Sequence, residues 1–193
     1  MSFHPRDLIS VGIFAALLLV SSFGIGMLGV FSPAAMFVSL PLMAIANGLI
    51  FAVFLARVHG PGLISILVMV LGLLMFISGH SALTLASSVV VAVICEAIMY
   101  ATKYSSTAGV IVSAGVFSQF NDGALLPIVW NSQSYFDEIS AQMGPEYAAG
   151  MRELFSAPMV AALAGLMFVC ALLGGWLGVR MTRKHFRRAG VVA

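Results

Sequence analysis

The chain has 193 residues, of which 61% are hydrophobic and only 8% carry a formal charge. Soluble domains carry about 25% charged residues, so this composition excludes a water-soluble globular protein. The net charge of +2 is too small to indicate nucleic-acid binding, and we expect no nucleic-acid partner.

Long uncharged runs predict membrane-spanning helices. Residues 8–56, 58–95 and 154–179 contain no Asp, Glu, Lys or Arg, and about 20 apolar residues cross the hydrocarbon core of a bilayer. Glycine, proline and polar clusters divide the chain into six predicted helices. In chain order they cover residues 7–28, 33–57, 61–79, 83–102, 107–130 and 158–182. The sequence therefore predicts an all-α, polytopic membrane protein with one six-helix transmembrane domain over residues 1–193.

Basic residues predict the orientation of these helices. With six helices, eight of the nine Lys and Arg residues fall on one side: Arg6, Arg57, Lys103, Arg180, Arg183, Lys184, Arg187 and Arg188. The other side holds Arg152 together with four acidic residues, Asp137, Glu138, Glu146 and Glu153. Because Lys and Arg concentrate in cytoplasmic loops, both termini are predicted to be cytoplasmic.

Small residues spaced four apart predict close contacts between helices, since such residues let helix backbones approach each other in lipid. The pairs are Gly12/Ala16, Ala44/Gly48, Ala161/Gly165, Ala171/Gly175 and Gly174/Gly178. Most pairs of this kind pack a bundle internally.

Two acidic residues lie within predicted spans, where a charge usually faces a cavity or a partner. Glu96 falls in the inner half of the fourth helix, and we favour a structural or coupling role over a ligand role. Asp122 falls in the outer half of the fifth helix, and we favour a ligand cavity over a structural role. Gln119 and Asn121 lie beside it, and Trp130 and Asn131 cap the same helix. His80 ends the third helix on the same side, as a capping residue or as a ligand contact.

Residues 131–157 form a long outer segment with helical periodicity. Two apolar faces recur in it: Phe136, Ile139 and Met143 on one, and Tyr147, Met151, Leu154 and Phe155 on the other. Gly144-Pro145 breaks the pattern between them. We predict two short amphipathic helices on the outer surface, which either pack at the interface or form a lid over a cavity.

Motifs of catalysis and metal binding are absent from the sequence. It contains no P-loop and no HExxH, and Gly79-His80-Ser81 does not match the GxSxG elbow. Cys95 and Cys170 fall within predicted spans without metal-binding spacing. We therefore expect no enzymatic activity, no catalytic residue, no metal site and no cofactor.

Five stretches of the sequence resemble one family of bacterial membrane proteins. They are RDLISVGIFAAL (Arg6–Leu17), ARVHGPG (Ala56–Gly62), the Gly79-His80 pair, MGPEYA (Met143–Ala148) and GGWLGVRMTRKHFRRAG (Gly174–Gly190). In this order they resemble the Trep_Strep family, also called MptD-type, which is identified with the substrate-binding (S) components of energy-coupling factor (ECF) transporters. The resemblance covers nearly the whole chain. This sequence departs from the family pattern at SQFNDG (Ser118–Gly123), where the family would be expected to have a more apolar stretch.

The resemblance implies a subunit of an ABC importer in the bacterial plasma membrane. S components are six-helix proteins that capture a vitamin or other micronutrient from outside. They then associate with a transmembrane coupling (T) subunit and two cytoplasmic ATPase subunits, which supply the energy. Small residues on the first helix form their docking face, and Gly12 and Ala16 match that pattern.

The resemblance also implies where the ligand binds. S components bind it in the outer half of the bundle, under loops between helices. Here that implies a site made by His80, Gln119, Asn121, Asp122, Trp130, Asn131 and Tyr135. A vitamin-like compound and an iron-carrying compound, such as a haem or a siderophore, are both open as substrates.

The alternative function is a self-sufficient secondary transporter or a small channel. It would predict paired ionisable groups near the membrane midplane and internal repeats with broken helices. The sequence shows one candidate carboxylate, Glu96, and no clear repeat. A scaffold without a transport role is a further alternative.

Overall fold

A computed structural model describes residues 4–58 and 60–188, without the side chains of residues 184–188. His59 and residues 189–190, which belong to two of the motifs above, lie outside the described residues. Within them the chain folds into helices joined by turns, which confirms the predicted all-α class. The helices are α1 (Pro5–Gly26), α2 (Pro33–Arg57), α3 (Leu63–Ile77), α4 (Ala82–Ala101), α5 (Thr107–Ser118), α6 (Leu126–Trp130), α7 (Ser132–Met143), α8 (Pro145–Leu154) and α9 (Ala157–Arg188). Two 3₁₀ segments, Met27–Phe31 and Gln119–Ala124, follow α1 and α5.

Four helical stretches are long and apolar enough to cross a membrane. They are Pro5–Phe31, Pro33–Arg57, Ala82–Ala101 and Ala157–Arg183. The apolar helix α3 has only 15 residues and α5 has 12, whereas a perpendicular span needs about 20. The described residues thus contain four candidate spans, and the predicted six are not confirmed.

The predicted continuous helix over residues 107–130 is wrong, because the chain leaves α-helical geometry at Ser118. A 3₁₀ segment and the five-residue α6 follow α5. The 3₁₀ segment lies directly on α4: a Cβ at Gly123 would come 2.5 Å from the Thr84 Cα. Pro127 adds a second interruption, since it lacks a backbone N–H. Irregular backbone of this kind is tolerated in a membrane protein where it is covered by other helices.

The closest helix contact joins α2 to α9. A Cβ at Gly48 would lie 2.5 Å from the Ala171 carbonyl oxygen, and one at Gly178 would lie 2.7 Å from the Leu49 carbonyl oxygen. The pairs Ala44/Gly48 and Gly174/Gly178 therefore pack inside the bundle, as expected for small residues at this spacing. By contrast, a Cβ at Gly12 or at Gly165 would have no atom within 4 Å.

Aromatic rings fill the middle of the bundle. Phe51 of α2 stacks on Phe117 of α5 with the ring centroids 4.2 Å apart. Phe14, in the first half of α1, packs edge-to-face on Phe54, near the end of α2, at 5.5 Å. These contacts hold α1, α2 and α5 together, with α1 antiparallel to α2.

The bundle has two chemically different ends. We call one the basic end; it carries Arg6, Arg57, Lys103, Arg180 and Arg183. Contacts across it include a hydrogen bond from Arg183 of α9 to Thr107, at the start of α5. The opposite end, here the lid end, carries α7 and α8 together with residues 27–33, 78–81 and 119–131. The lid helices hold Asp137, Glu138, Glu146, Arg152 and Glu153.

At the basic end, the Glu96 carboxylate ties three elements together. Oε1 accepts from the Gly62 N–H at 2.8 Å and also from the Tyr104 hydroxyl. Oε2 accepts from the Ser65 N–H at 3.2 Å and from the Ser65 hydroxyl at 3.1 Å. A carboxylate at the first turn of α3 satisfies backbone N–H groups that have no partner within that helix. This geometry gives Glu96 a structural task, which is the role the sequence favours.

Candidate functional site

Two adjoining cavities lie at the lid end, beneath α7 and α8. The inner cavity has a volume of about 330 Å³ and the outer cavity about 400 Å³. They share the lining residues Met36, His80, Ala124, Leu125, Tyr135 and Ile139. Small-molecule sites commonly have volumes of about 300–1,000 Å³. Each cavity is therefore large enough for a small ligand, and the six shared residues form a common wall between the two.

Methionines dominate the wall of the inner cavity. Six of them line it: Met27, Met36, Met43, Met75, Met143 and Met151. They come from the 3₁₀ segment after α1 and from α2, α3, α7 and α8. The cavity therefore forms only when these five elements pack together. Methionine is flexible and polarisable, and such a wall adapts its shape to an apolar ligand.

The end of α3 fixes the orientation of His80. Gly79 has a φ of +96°, its N–H donates to the Phe76 carbonyl at 3.1 Å, and the His80 N–H donates to the Met75 carbonyl at 3.1 Å. This is a Schellman cap, in which glycine takes the left-handed position. The His80 Nδ1 atom also lies 3.1 Å from the Met75 carbonyl oxygen. A carbonyl only accepts, so Nδ1 carries the hydrogen, and a neutral ring presents Nε2 as an acceptor.

Tyr135 lines both cavities from α7. Among the described residues, none forms a hydrogen bond with its hydroxyl, and burial raises the pKa of this phenol to about 12. The hydroxyl is therefore protonated near neutral pH and is a free donor for a bound molecule. Asn121 lines the inner cavity, and its amide donates to the Ser118 carbonyl at 3.3 Å.

The structure brings four of the predicted binding residues together at the cavities. His80 and Tyr135 line both, Asn121 lines the inner cavity, and Asn131 lines the outer cavity. Three line neither: Gln119, Asp122 and Trp130. The Gln119 amide donates to the Ala164 carbonyl of α9 at 3.3 Å, and Trp130 is 85% exposed. The Asp122 Oδ1 atom is buried and has no hydrogen-bond partner among the described residues.

The break after Ser118 accounts for the position of these three residues. On a continuous helix Gln119, Asp122 and Trp130 would share one face, at spacings of three and eight residues. The 3₁₀ segment advances the chain by three residues per turn instead of about 3.6, so the face is not kept. Their assignment as ligand contacts stays a prediction.

Further cavity residues come from α2, where sequence reasoning did not identify them. Met36, Ser39, Leu40 and Met43 all line the inner cavity at helical spacings of three, four and seven residues. Such a stripe can be read from a sequence, but apolar residues facing a cavity and apolar residues facing lipid look alike. The polar residue Ser39, which is buried in the structure, could have indicated that this face of α2 points away from lipid, since polar groups seldom face lipid.

The two lid helices cover the inner cavity. Tyr135, Ile139 and Met143 of α7 and Tyr147 and Met151 of α8 line it. Gly144, with a φ of +92°, joins the two helices. The Tyr147 hydroxyl donates to the Gly29 carbonyl at 2.7 Å, which fastens α8 to the 3₁₀ segment after α1.

The predicted docking residues lie away from the cavities. Gly12 and Ala16 are exposed on α1, near the basic end, where their face of the helix is open. Asn47 donates to the hydroxyl of Ser22, which lines the inner cavity, at 2.8 Å and so links α2 to α1. In the described part of the chain, no three His, Cys, Asp or Glu side chains cluster closely enough to hold a metal ion.

Comparison with known proteins identifies a family for this chain. A family model described as hypothetical bacterial integral membrane protein (Trep_Strep) matches residues 5–188. No curated protein and no solved structure matches the chain. The match covers all nine helices and both cavities of the described structure.

Proposed function

The chain belongs to the Trep_Strep family of bacterial integral membrane proteins, and on that basis we propose that it is the substrate-capture (S) subunit of an ECF-type ABC importer. It binds a micronutrient in the cavities at the lid end and delivers it inward. A transmembrane coupling (T) subunit and two cytoplasmic ATPase subunits provide the energy. The observation that carries this proposal is the pair of cavities at the end opposite the basic residues, the inner one covered by α7 and α8 and the outer one lined by α7.

Charge asymmetry supports the orientation that the proposal needs. The basic end holds Arg6, Arg57, Lys103, Arg180 and Arg183, whereas Arg152 is the single Lys or Arg of the described lid end. Lys and Arg concentrate on the cytoplasmic side of a membrane. The basic end and both termini are then cytoplasmic, and the cavities open to the exterior.

The proposal also requires six crossings of the plasma membrane. The four long helical stretches supply four of them. In the proposed arrangement α3 makes another, and α5 makes the sixth together with the 3₁₀ segment and α6. The even number keeps the two termini on one side, in agreement with the charge distribution.

The environment of Glu96 favours this function over a self-sufficient transporter. A transporter driven by an ion gradient needs ionisable groups that are free to bind and release ions near the midplane. The Glu96 carboxylate instead accepts four hydrogen bonds at the start of α3. The sequence contains no P-loop, so ATP would be hydrolysed by partner subunits.

We expect the hydrogen bond that holds α8 to the 3₁₀ segment after α1 to affect how long a captured ligand is retained. Tyr147→Phe removes the hydrogen bond to Gly29, worth about 0.5–1.5 kcal/mol, and should therefore speed ligand release by up to about tenfold. We expect native mass spectrometry of the protein purified from its own membranes to show a bound small molecule. The occupied fraction should be lower in Tyr147→Phe.

Tyr100→Phe is the matched control, since Tyr100 is exposed on α4 and lines neither cavity. It should keep the wild-type occupancy. Equal occupancy in wild type and Tyr147→Phe would remove the lid from the proposal, and a wild-type protein that retains no small molecule would argue against ligand capture.

A further inference from the structure

The walls of the two cavities restrict the charge of a ligand. None of the residues lining the inner cavity is Asp, Glu, Lys or Arg, and Glu138 is the single charged residue of the outer lining, within the described chain. An ion buried without an opposite charge or several hydrogen bonds loses much of its hydration energy. The linings contain no Lys or Arg, and His80 is the single lining residue that could carry a positive charge, so the walls favour a neutral group in the enclosed part of the ligand.

The six methionines of the inner cavity favour a flat and polarisable ligand body. A thioether sulfur makes a favourable contact with an aromatic ring. A flat, conjugated ring system has faces and edges that several of these sulfurs can contact at once. A volume of about 330 Å³ lies at the small end of the range for ligand sites, which suits a compact ring system.

Polar groups are concentrated where the two cavities meet. The unpartnered Tyr135 hydroxyl is a donor there, and Nε2 of a neutral His80 is an acceptor. The Asn121 amide also lines the inner cavity. A polar head with one donor and one acceptor, such as an alcohol or an amide, would satisfy the two groups that are still free.

We infer that the ligand is an uncharged small molecule with a conjugated, apolar ring body in the inner cavity and a hydrogen-bonding head between His80 and Tyr135. This inference rests on the proposed function for its claim that a ligand is captured at all. It narrows the two substrate classes left open by the sequence. A haem brings two carboxylates to walls without Lys or Arg, so a neutral, vitamin-sized compound fits better.

Three probes that share one ring but differ in charge test the inference. They are 2-naphthylmethanol, which is neutral, 2-naphthoate, which is an anion, and 2-naphthylmethylammonium, which is a cation. Equilibrium dialysis against the full-length protein in detergent, with protein-free micelles as the blank, gives the saturable part of the binding. We expect the neutral probe to bind at least tenfold more tightly than either ion.

Variants assign this binding to the cavities. Met143→Trp places a bulky ring in the inner cavity and should weaken binding of 2-naphthylmethanol at least tenfold, whereas Met159→Trp changes an exposed methionine of α9 that lines neither cavity and should have no effect. Tyr135→Phe should weaken binding threefold to tenfold by removing the donor. Preference for either ion, equal binding of all three probes, or no saturable binding of the neutral probe would overturn the inference.

The outcomes separate this inference from the proposed function. If the neutral probe binds as expected but the chain engages no coupling subunit, the ligand class stands and the transport role falls. If the chain delivers a solute with partner ATPases but prefers the anionic probe, the transport role stands and the ligand class falls.

Discussion

Replacement of Gly174 by valine is expected to prevent the bundle from folding. A Cβ at this position would fall on the Ile45 carbonyl oxygen and lie 3.0 Å from the Leu49 backbone nitrogen. Both are backbone atoms of α2, so no side-chain rotation relieves the overlap, and α2 and α9 would have to move apart. Overpacking in a core costs about 1–3 kcal/mol even when side chains can adjust. We therefore expect Gly174→Val to lower the free energy of unfolding by about 3 kcal/mol or more.

Gly165→Val is the matched control for this prediction. Gly165 lies on the same helix, and a Cβ there would have no atom within 4 Å. Size-exclusion chromatography and thermal unfolding in detergent should show aggregated or unstable Gly174→Val protein beside wild-type behaviour of Gly165→Val. Equal unfolding temperatures of Gly174→Val and wild type would contradict the α2–α9 contact.

The second large effect is expected on partner binding rather than on folding. Changing both Gly12 and Ala16 to leucine should abolish co-purification with a coupling subunit and its ATPases. Both residues are exposed on α1, and the space above Gly12 is open, so the leucines are accommodated in the isolated chain. A partner helix that relies on close backbone approach would be pushed away by the two side chains.

Two observations separate this loss of docking from damage to the fold. The double variant should keep the wild-type unfolding temperature and its bound small molecule. Gly165→Leu, which alters another exposed small residue on a different helix, should keep the partners. Undiminished co-purification of the double variant would eliminate this face of α1 as the docking surface.

Local signals explain why some helix boundaries could be predicted closely. The sequence predicts a helix over residues 33–57, and α2 spans Pro33–Arg57. Ser32 caps its start by accepting a hydrogen bond from the Ala35 N–H at 3.1 Å, and Pro33 occupies the first helical position. Such caps are short-range and therefore visible in a sequence. The interruption after Ser118 has local signals in Asp122-Gly123 and Pro127, but the close fit of this segment against α4 depends on tertiary packing that the local sequence does not report.

The candidate site was predictable only in part, for a related reason. His80, Asn121, Asn131 and Tyr135 are polar or amphipathic residues near predicted helix ends, where a cavity mouth is expected. The methionine wall has no such signal, because lipid and an apolar cavity select the same residue types. Gln119 was selected for its polarity, but the structure uses its amide to bind the Ala164 carbonyl of α9.

The most direct test of the account is transport by proteoliposomes that contain the purified chain. The solute is the molecule that native mass spectrometry identifies in the purified protein. With the coupling subunit and both ATPases present, we predict that the solute accumulates. This accumulation should require ATP on the side of the membrane that carries the ATPases. With the chain alone, we predict none under a proton or sodium gradient. Accumulation by the chain alone, driven by such a gradient, would contradict the account.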